Sequence, residues 1–569
     1  MKIIGLNHGE INSSASILIE EKKLAGAIEE RFNREKFTKK FPFYALKFVL
    51  ESTNNKLEDC DAIGQGWYPG INWIKFNPIY SENRDLREKY FYTIPDHLFK
   101  FAPSRIPGNY AKLSLEASSK MPNIFFIKHH LCHAANAFFL SNFEESAIIT
   151  SDFRGEIEST TMSFGKKNNI KNIQSQYAPD SLGIFYSTFT ELLGYKPDSD
   201  EWKVMAMSSY EAKDQNIINK IKKTYELNGD GSVQFDQSFF KSSILERPNL
   251  YTEKLFRYLG GDKSSKNINS DWHKAIAYGM QFCAEEIALH IINKLYDKTK
   301  CKNLVASGGF FMNSVLNGKI LEKTKFKNLY IPFAPTDAGN SIGSTLYIAH
   351  CIFNKPRKKI DNKSFIGPSF SKNLVSNTLN SKFIKYKKIK NDDSKIIAHL
   401  IHESKILAFF DGKMEFGDRA LGNRSILADP RDSEIKDKIN SAIKFREAFR
   451  PFAPVVIEER VSQYFEVKKE FKNQYMEKVV KVKKKYAKKI PAVVHFDGSC
   501  RVQTVNKIRE PKLYKILLEF EKITGLPILL NTSFNLNGEP IVHSPEDAIS
   551  TFYKSGLKLM ILENHLIKK

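Results

Sequence analysis

Short apolar runs separated by polar, glycine-bearing loops set the rhythm of this chain. Lys2–Leu6 reads as a strand, NHGEINSSA as a loop and Ser16–Glu20 as a second strand. Ser146–Thr150 (SAIIT), the loop SDFRGEIES and Thr160–Phe164 repeat the same design. Each is a hairpin pattern, and a loop rich in backbone amides and small hydroxyls suits phosphate. Asn303–Ser307 is another apolar strand end, followed by Gly308, Gly309 and FFMNSVLNGKIL, which reads as one helix. Glycines between strand and helix let a ligand approach the backbone at the helix N-terminus. The pattern is neither a dinucleotide fingerprint nor a P-loop. Residues 354–364 (NKPRKKIDNKS) are polar and basic and carry a proline, which predicts a boundary between domains 1–354 and 365–569. Beyond it the pattern predicts a helix at Ile397–Glu403, a buried strand at Lys405–Phe410 and a helix at Ser433–Ala442. Strands are predicted at Pro451–Ile457 and Pro527–Leu530, so the second domain is also α/β.

Taken together, the two hairpins and the Gly-Gly loop resemble the actin-like ATPase fold, which has two phosphate hairpins and an adenosine loop in a duplicated α/β domain. Length agrees, because 569 residues exceed what one hydrophobic core organises. With 42% hydrophobic and 27% charged residues the chain is globular rather than disordered. Lysine and arginine total 87 against 64 acidic residues, a net charge of +23. Such a balance fits nucleic acid, a membrane surface or an anionic substrate, or simply a lysine-rich exterior. The lysines are dispersed, and only Lys478–Lys489 (KVVKVKKKYAKK) forms a dense run. Its interleaved Val479, Val480 and Val482 suggest a partly packed segment, read first as a solvated face or mobile loop and only distantly as a polyanion site. The six cysteines are scattered and form no C-x-x-C, which argues against a zinc ribbon or a disulfide scaffold. Free cysteines, no signal-peptide pattern and no run of about 18 apolar residues predict a cytoplasmic protein without a membrane span.

The candidate chemistry lies in two places. His129, His130 and His133 fall in IKHHLCHAANAFFL, and on a helix His129 and His133 share a face. Asp152 follows a strand and Asp337 sits in PFAPTDAGNS. Two imidazoles with two carboxylates suit iron, manganese or zinc. In the second domain Arg419, Arg424, Arg446, Arg450 and Arg501 recur among glycine and small polar residues. Arginines in such turns favour a two-pronged grip on phosphate or carboxylate, so an anionic small-molecule site is predicted there.

HHLCHAA, DEWKVM, SGGFFMN, PTDAGNS, FGDRALGNRSILADPR, REAFRPFAP, DGSCRVQTV and NTSFN occur in this order along nearly the whole chain. In these motifs the chain resembles the O-carbamoyltransferases that act on antibiotics and nodulation factors. The resemblance implies an actin-like N-terminal domain and a YrdC-like C-terminal domain. The latter would cleave carbamoyl phosphate and form carbamoyladenylate from ATP; the former would pass the carbamoyl group to a small-molecule hydroxyl acceptor, with no nucleic-acid or membrane partner expected. His129, His133, Asp152 and Asp337 would bind Fe(II) or another divalent metal, with Mg2+ accompanying ATP. Arg419, Lys444, Arg450, Arg501 and Ser533 would grip carbamoyl phosphate, with Lys36 reaching the nucleotide or phosphate from the first domain. Gly308, Gly309 and Asn313 would hold adenosine, and Lys203 and Arg424 would also lie at the bound nucleotide. The chain departs from the family where a histidine normally precedes the small residues of the first hairpin. It reads Ile11-Asn12-Ser13-Ser14-Ala15, leaving His8 as the nearest base. A tRNA threonylcarbamoyl-type enzyme and a catalytically silent nucleotide-binding regulator are the rival readings.

Overall fold

A computed structural model of the protein describes residues 1–9, 11–68, 110–113 (backbone), 122–241, 250–261, 270–360, 364–390, 393–444, 450 and 452–569. By its internal contacts the chain divides into two compact units. One comprises Met1–Glu29 and Phe37–Asn362, the other Glu30–Lys36 and Lys363–Lys569.

The first unit uses one strand plan twice. Strands β1 (Lys2–Asn7), β2 (Ser14–Ile19) and β3 (Lys23–Ile28) form an antiparallel meander, and β4 (Ala62–Gln65) and β6 (Asn123–Ile127) extend it in parallel on the β1 side. The short β5 (Tyr110–Leu113) closes that edge. The meander of β7 (Glu145–Ser151), β8 (Glu158–Lys166) and β9 (Asn169–Tyr177) recurs in the second half. After the small hairpin β10 (Tyr225–Leu227) and β11 (Val233–Phe235), β12 (Asn303–Ser307) and β13 (Asn328–Tyr330) extend it in parallel beside β7. The orders β3-β2-β1-β4-β6 and β9-β8-β7-β12-β13 are therefore the same, and this is the duplicated actin-like arrangement. Ile3, Ile4, Ile148 and Val305 are buried because these central strands are covered on both faces.

Small residues let the helices close on the sheets. Every residue of the helix His129–Leu140 is buried. A Cβ on Gly343, in the helix Asn340–Tyr347, would lie 2.0 Å from the Cys132 carbonyl oxygen, so the two helices touch backbone to backbone. The expected helix at FFMNSVLNGKIL is two elements instead: a tight turn, Gly309–Met312, and the helix Ser314–Lys323. Asn313 divides them because its side chain accepts from Leu316 N and caps the second helix, a role that competes with continuing the first.

The second unit is an eight-stranded mixed sheet in the order β14-β23-β22-β15-β16-β21-β17-β20. The strands are β14 (Lys387–Lys388), β15 (Ile406–Phe410), β16 (Arg424–Ala428), β17 (Ala453–Ile457), β20 (Gln503–Val505), β21 (Ile528–Ser533), β22 (Leu559–Leu562) and β23 (His565–Lys568). Alternation along β15 sends Leu407 and Phe409 into one core, with Ile397, Ile516 and Phe520. Ala408 and Phe410 enter the other, with Ile426, Val456 and Phe552. The helix expected at Ser433–Ala442 spans Ile435–Ile439 and widens into a π turn over Asn440–Lys444. The lysine-rich run is anchored more than its composition suggests. It contributes the short β18 (Val480–Lys481), which pairs with β19 (Ser499–Cys500), and the turn of helix Lys484–Ala487, with Val482 buried. Among the described residues no helix is long and apolar enough to cross a membrane.

Candidate functional site

In the first unit, four ligand-type side chains converge. The helix His129–Leu140 carries His129 and His133 one turn apart, β7 ends just before Asp152, and the tight turn Asp337–Gly339 presents Asp337. His133 Nε2 is 2.9 Å from Asp152 Oδ2 and 3.4 Å from Asp337 Oδ1; His129 Nε2 is 3.5 and 3.4 Å from the same atoms. The two Nε2 atoms face each other at 3.0 Å. All four donor atoms lie within 4.8 Å of one another. Such inward convergence of imidazole nitrogens and carboxylate oxygens is the donor chemistry of a divalent metal, so the residues fit that group. Burial opposes the charge on Asp152, but the hydrogen bonds and charges of His129 and His133 hold its carboxyl well below the usual range. Burial likewise opposes protonation of His129, and Asp337 and Asp152 more than offset it, raising its pKa.

Several supports were not foreseen from the sequence. Glu156 accepts from the backbone N–H of His129 (2.9 Å) and of Tyr68 (2.7 Å), fixing the start of the helix that carries His129 and His133. Burial, reinforced by Glu158, raises its carboxyl to about 7. Asn340 Nδ2 lies 3.3 Å from His129 Nδ1 and 3.4 Å from His133 Nε2. A Cβ on Gly66 would meet both the Asn340 Cβ and Asn7 Oδ1, so these asparagines are neighbours. The buried Asn340 Oδ1, Asn7 Nδ2, Ser13 Oγ and Gln65 Nε2 make no hydrogen bond. The signal for Asn7 and Asn340 was their position inside NHGEINSSA and PTDAGNS. His130 is no additional ligand, since its Nδ1 pairs with Thr150 Oγ1 at 2.7 Å and its Nε2 with the Glu158 carbonyl at 3.1 Å.

The Gly-Gly loop stands against the cluster. Gly308 has φ +101, and a Cβ there would sit 2.1 Å from the Ser151 carbonyl oxygen. A Cβ on Gly309 would sit 2.9 Å from Asp152 Oδ1. Asn313 exchanges 3.1 Å hydrogen bonds with Gln281 in addition to capping its helix. Lys203 pairs with Asp200 at 3.1 Å and lies over the Tyr195 and Trp202 rings. His8 packs edge-on against Phe41 with ring centroids 5.2 Å apart, and burial lowers its pKa to about 4, well below that of an ordinary imidazole.

In the second unit, strand register brings the residues expected to grip an anion towards one end of the sheet. Ser425 pairs with Ser533, Ala453 with Asn531 and Val455 with Gln503. Arg450 just before β17, Arg501 just before β20 and Ser533 closing β21 therefore share one end of the sheet. Lys444 Nζ donates to the carbonyl oxygens of Ser533 and Asn535, to Asn535 Oδ1 at 2.7 Å and to Ser533 Oγ at 3.3 Å. The preceding loop is shaped by Glu415, whose Oε1 accepts from the backbone N–H of Leu421, Asn423 and Arg424. Arg419 is half-buried within that loop.

Two expected roles change. Arg424 is fully buried; its guanidinium donates to the carbonyls of Asp411, Gly412, Asn423 and Pro368 and stacks 3.6 Å over Phe410. That engagement makes it a brace for the loop. Lys36, expected to act from the first domain, is exposed and belongs to the second unit. Its segment docks there through Arg31, which donates to the Gly417 carbonyl at 2.9 Å, and Arg34, which donates to Ile541 O and Pro540 O. Arg446 and Pro451 lie outside the described residues.

Comparison with known proteins accounts for both units. Residues 2–346 match the family model for the carbamoyltransferase N-terminus and residues 398–569 that for the carbamoyltransferase C-terminus. Similar relatives include an uncharacterised protein of Synechocystis sp., 31% identical over 100% of this chain and 96% of its own length. The nodulation protein NolNO of Sinorhizobium fredii is 32% identical over 98% of this chain and 79% of its own. An uncharacterised protein of Methanocaldococcus jannaschii is 31% identical over 100% and 99%. Among solved structures, full-length HypF in its phosphate- and nucleotide-bound form is 14% identical, covering 63% of this chain and 56% of that one, at a TM-score of 0.33.

Proposed function

The chain belongs to the carbamoyltransferase family and is a transferase enzyme, and on that premise we propose that it forms carbamoyladenylate from carbamoyl phosphate and ATP and transfers the carbamoyl group to a small-molecule hydroxyl. The observation that carries this reading is the sheet end that Arg450, Arg501 and Ser533 share in the second unit, with Lys444 hydrogen-bonded to Ser533. Attack of water on carbamoyl phosphate releases phosphate and leaves carbamate, which decomposes when free in water. Guanidinium groups that offset the departing charge and shield the carbamate address both problems. The carbamate oxygen then attacks the α-phosphorus of ATP and pyrophosphate leaves; Mg2+ accompanying the nucleotide would offset its phosphate charge.

Transfer is assigned to the first unit. The acceptor oxygen attacks the carbonyl carbon, AMP departs and the hydroxyl proton goes to a base. His129, His133, Asp152 and Asp337 would hold a divalent metal, iron in this reading, which when bound supplies positive charge to polarise an oxygen or position the nucleotide. Gly308 and Gly309 admit the nucleotide close to the backbone. Asn7 and Asn340, beside the cluster, offer unused hydrogen-bonding atoms to the carbamoyl group or acceptor. His8 is the chain's own candidate base, but with a pKa near 4 it is neutral and only weakly basic. Six free cysteines support a cytoplasmic setting. The tRNA-directed alternative is not favoured, since both units match carbamoyltransferase models.

The purified protein should release pyrophosphate from ATP only when carbamoyl phosphate is present. Arg450→Ala should lower that rate about a hundredfold or more, the scale of losing a charge-assisted grip on a departing phosphate. Pyrophosphate release indifferent to carbamoyl phosphate would overturn the reading.

A further inference from the structure

His495, six residues before Arg501, has no part in the reading above. It begins a tight turn: its N–H donates to the Ser499 carbonyl at 2.8 Å, and Gly498 N–H donates back to the His495 carbonyl at 3.0 Å. Three side chains of the turn form a relay. His495 Nδ1 is 3.0 Å from Ser499 Oγ, and Ser499 Oγ is 2.6 Å from Asp497 Oδ1. Asp497 also takes the Ser499 backbone N–H at 3.0 Å and Lys481 Nζ at 2.9 Å. Burial opposes its charge, yet those hydrogen bonds hold its carboxyl below the usual range, so it is ionised and can only accept.

The hydrogen positions follow. The short Ser499–Asp497 contact uses the single hydroxyl proton of Ser499. Ser499 Oγ must then accept from His495, which places a proton on Nδ1 and leaves a lone pair on Nε2. Nε2 is buried and makes no hydrogen bond to the protein. Burial and the nearby Arg501, Lys436 and Lys481 lower the imidazole's pKa to about 4 against the pull of Asp497, which keeps that lone pair bare at neutral pH.

This bare acceptor feels the charge of Arg501, six residues on, so an anion gripped by that arginine can satisfy it with a donor of its own. At neutral pH the phosphate oxygens and carbonyl oxygen of carbamoyl phosphate are acceptors, and only the amide nitrogen donates. We infer that His495 determines specificity at this site, its Nε2 accepting a hydrogen bond from the carbamoyl N–H. The inference rests on the proposed use of carbamoyl phosphate. It makes the Asp497–Ser499–His495 relay the device that separates carbamoyl phosphate from acetyl phosphate, which carries a methyl group where the amide stands.

The test compares phosphate release from carbamoyl phosphate and acetyl phosphate by wild type, His495→Phe and His495→Gln. Wild type should favour carbamoyl phosphate in kcat/KM. His495→Phe keeps a planar ring without the lone pair and should lower that preference about tenfold to a hundredfold, through the carbamoyl phosphate value alone. His495→Gln, which restores an acceptor, should recover part of it. An unchanged preference in His495→Phe overturns the assignment, as does an equal loss with both substrates. A raised KM for ATP at an unchanged preference also overturns it, by assigning the lone pair to a nucleotide donor. Wild type inert towards carbamoyl phosphate would instead overturn the functional reading and this inference with it.

Discussion

At the scale of single residues, environment decides what an imidazole does. His129, His130 and His133 fall within one five-residue motif and are all buried, yet His130 has both nitrogens engaged by Thr150 and Glu158, while the other two aim Nε2 at a common centre. Removing one of those ligands opens the shell and leaves carboxylates facing each other without compensation. His133→Ala should therefore lose most of its bound metal, measured by elemental analysis after dialysis. It should still release pyrophosphate from ATP with carbamoyl phosphate, because that step is assigned to the other unit. Full metal content would mean that the metal is held elsewhere and that these four residues are not its ligands. His8 shows the limit of residue identity: its type promises a base near neutrality, and its burial removes most of that basicity.

Elements depend on close approaches that only small residues permit. The Gly-Gly loop runs so near the end of β7 that a methyl at Gly308 would collide with backbone, in a conformation with φ +101 that side chains rarely adopt. Gly308→Ala should destabilise the first unit by about 2 kcal/mol or more and weaken nucleotide binding, because the neighbouring Ser151 carbonyl cannot yield as a flexible side chain could. Denaturant unfolding and a nucleotide titration would check both, and a variant matching wild type in each would contradict this packing. Gly5, Gly339 and Gly343 apply the same device around the His129–His133–Asp152–Asp337 cluster, each standing where a Cβ would meet backbone oxygen about 2 Å away.

At the scale of the molecule, the chain interleaves its two units. Residues Glu30–Lys36 leave the first meander and join the second unit, where Arg31 and Arg34 reach carbonyls 386 and 507 positions away in sequence. Closing such long loops costs entropy, which the guanidinium hydrogen bonds help to offset. Arg34 donates at 2.7 and 2.8 Å to two carbonyls and lies 3.7 Å from Asp547. Arg34→Ala should weaken the second unit by about 1–3 kcal/mol. It should lower the denaturation midpoint of that unit, followed by a probe within it, while leaving metal content unchanged; an unaltered midpoint would show that the segment adds nothing to the second unit's stability.

The order of motifs alone determined the family, the α/β class, both hairpins, the Gly-Gly loop and the four metal-site candidates. Local patterns suffice for these: apolar periodicity marks strands, and His129 and His133 four apart must share a helix face. Tertiary structure decided the rest. Asparagine at 313 splits an apparently continuous helix because capping is local competition that hydrophobic pattern does not register. Arg424 looked like its neighbouring arginines, but the fold buries it against Phe410 and four carbonyls, and burial is a property of three-dimensional neighbours. Lys36 changed units because a short polar segment carries no sign of which core it will join. The His495 lone pair depends on Ser499, Asp497 and Lys481 closing one hydrogen-bonded chain. Residue types limit what each side chain can donate or accept, but only the folded contacts decide where each proton resides.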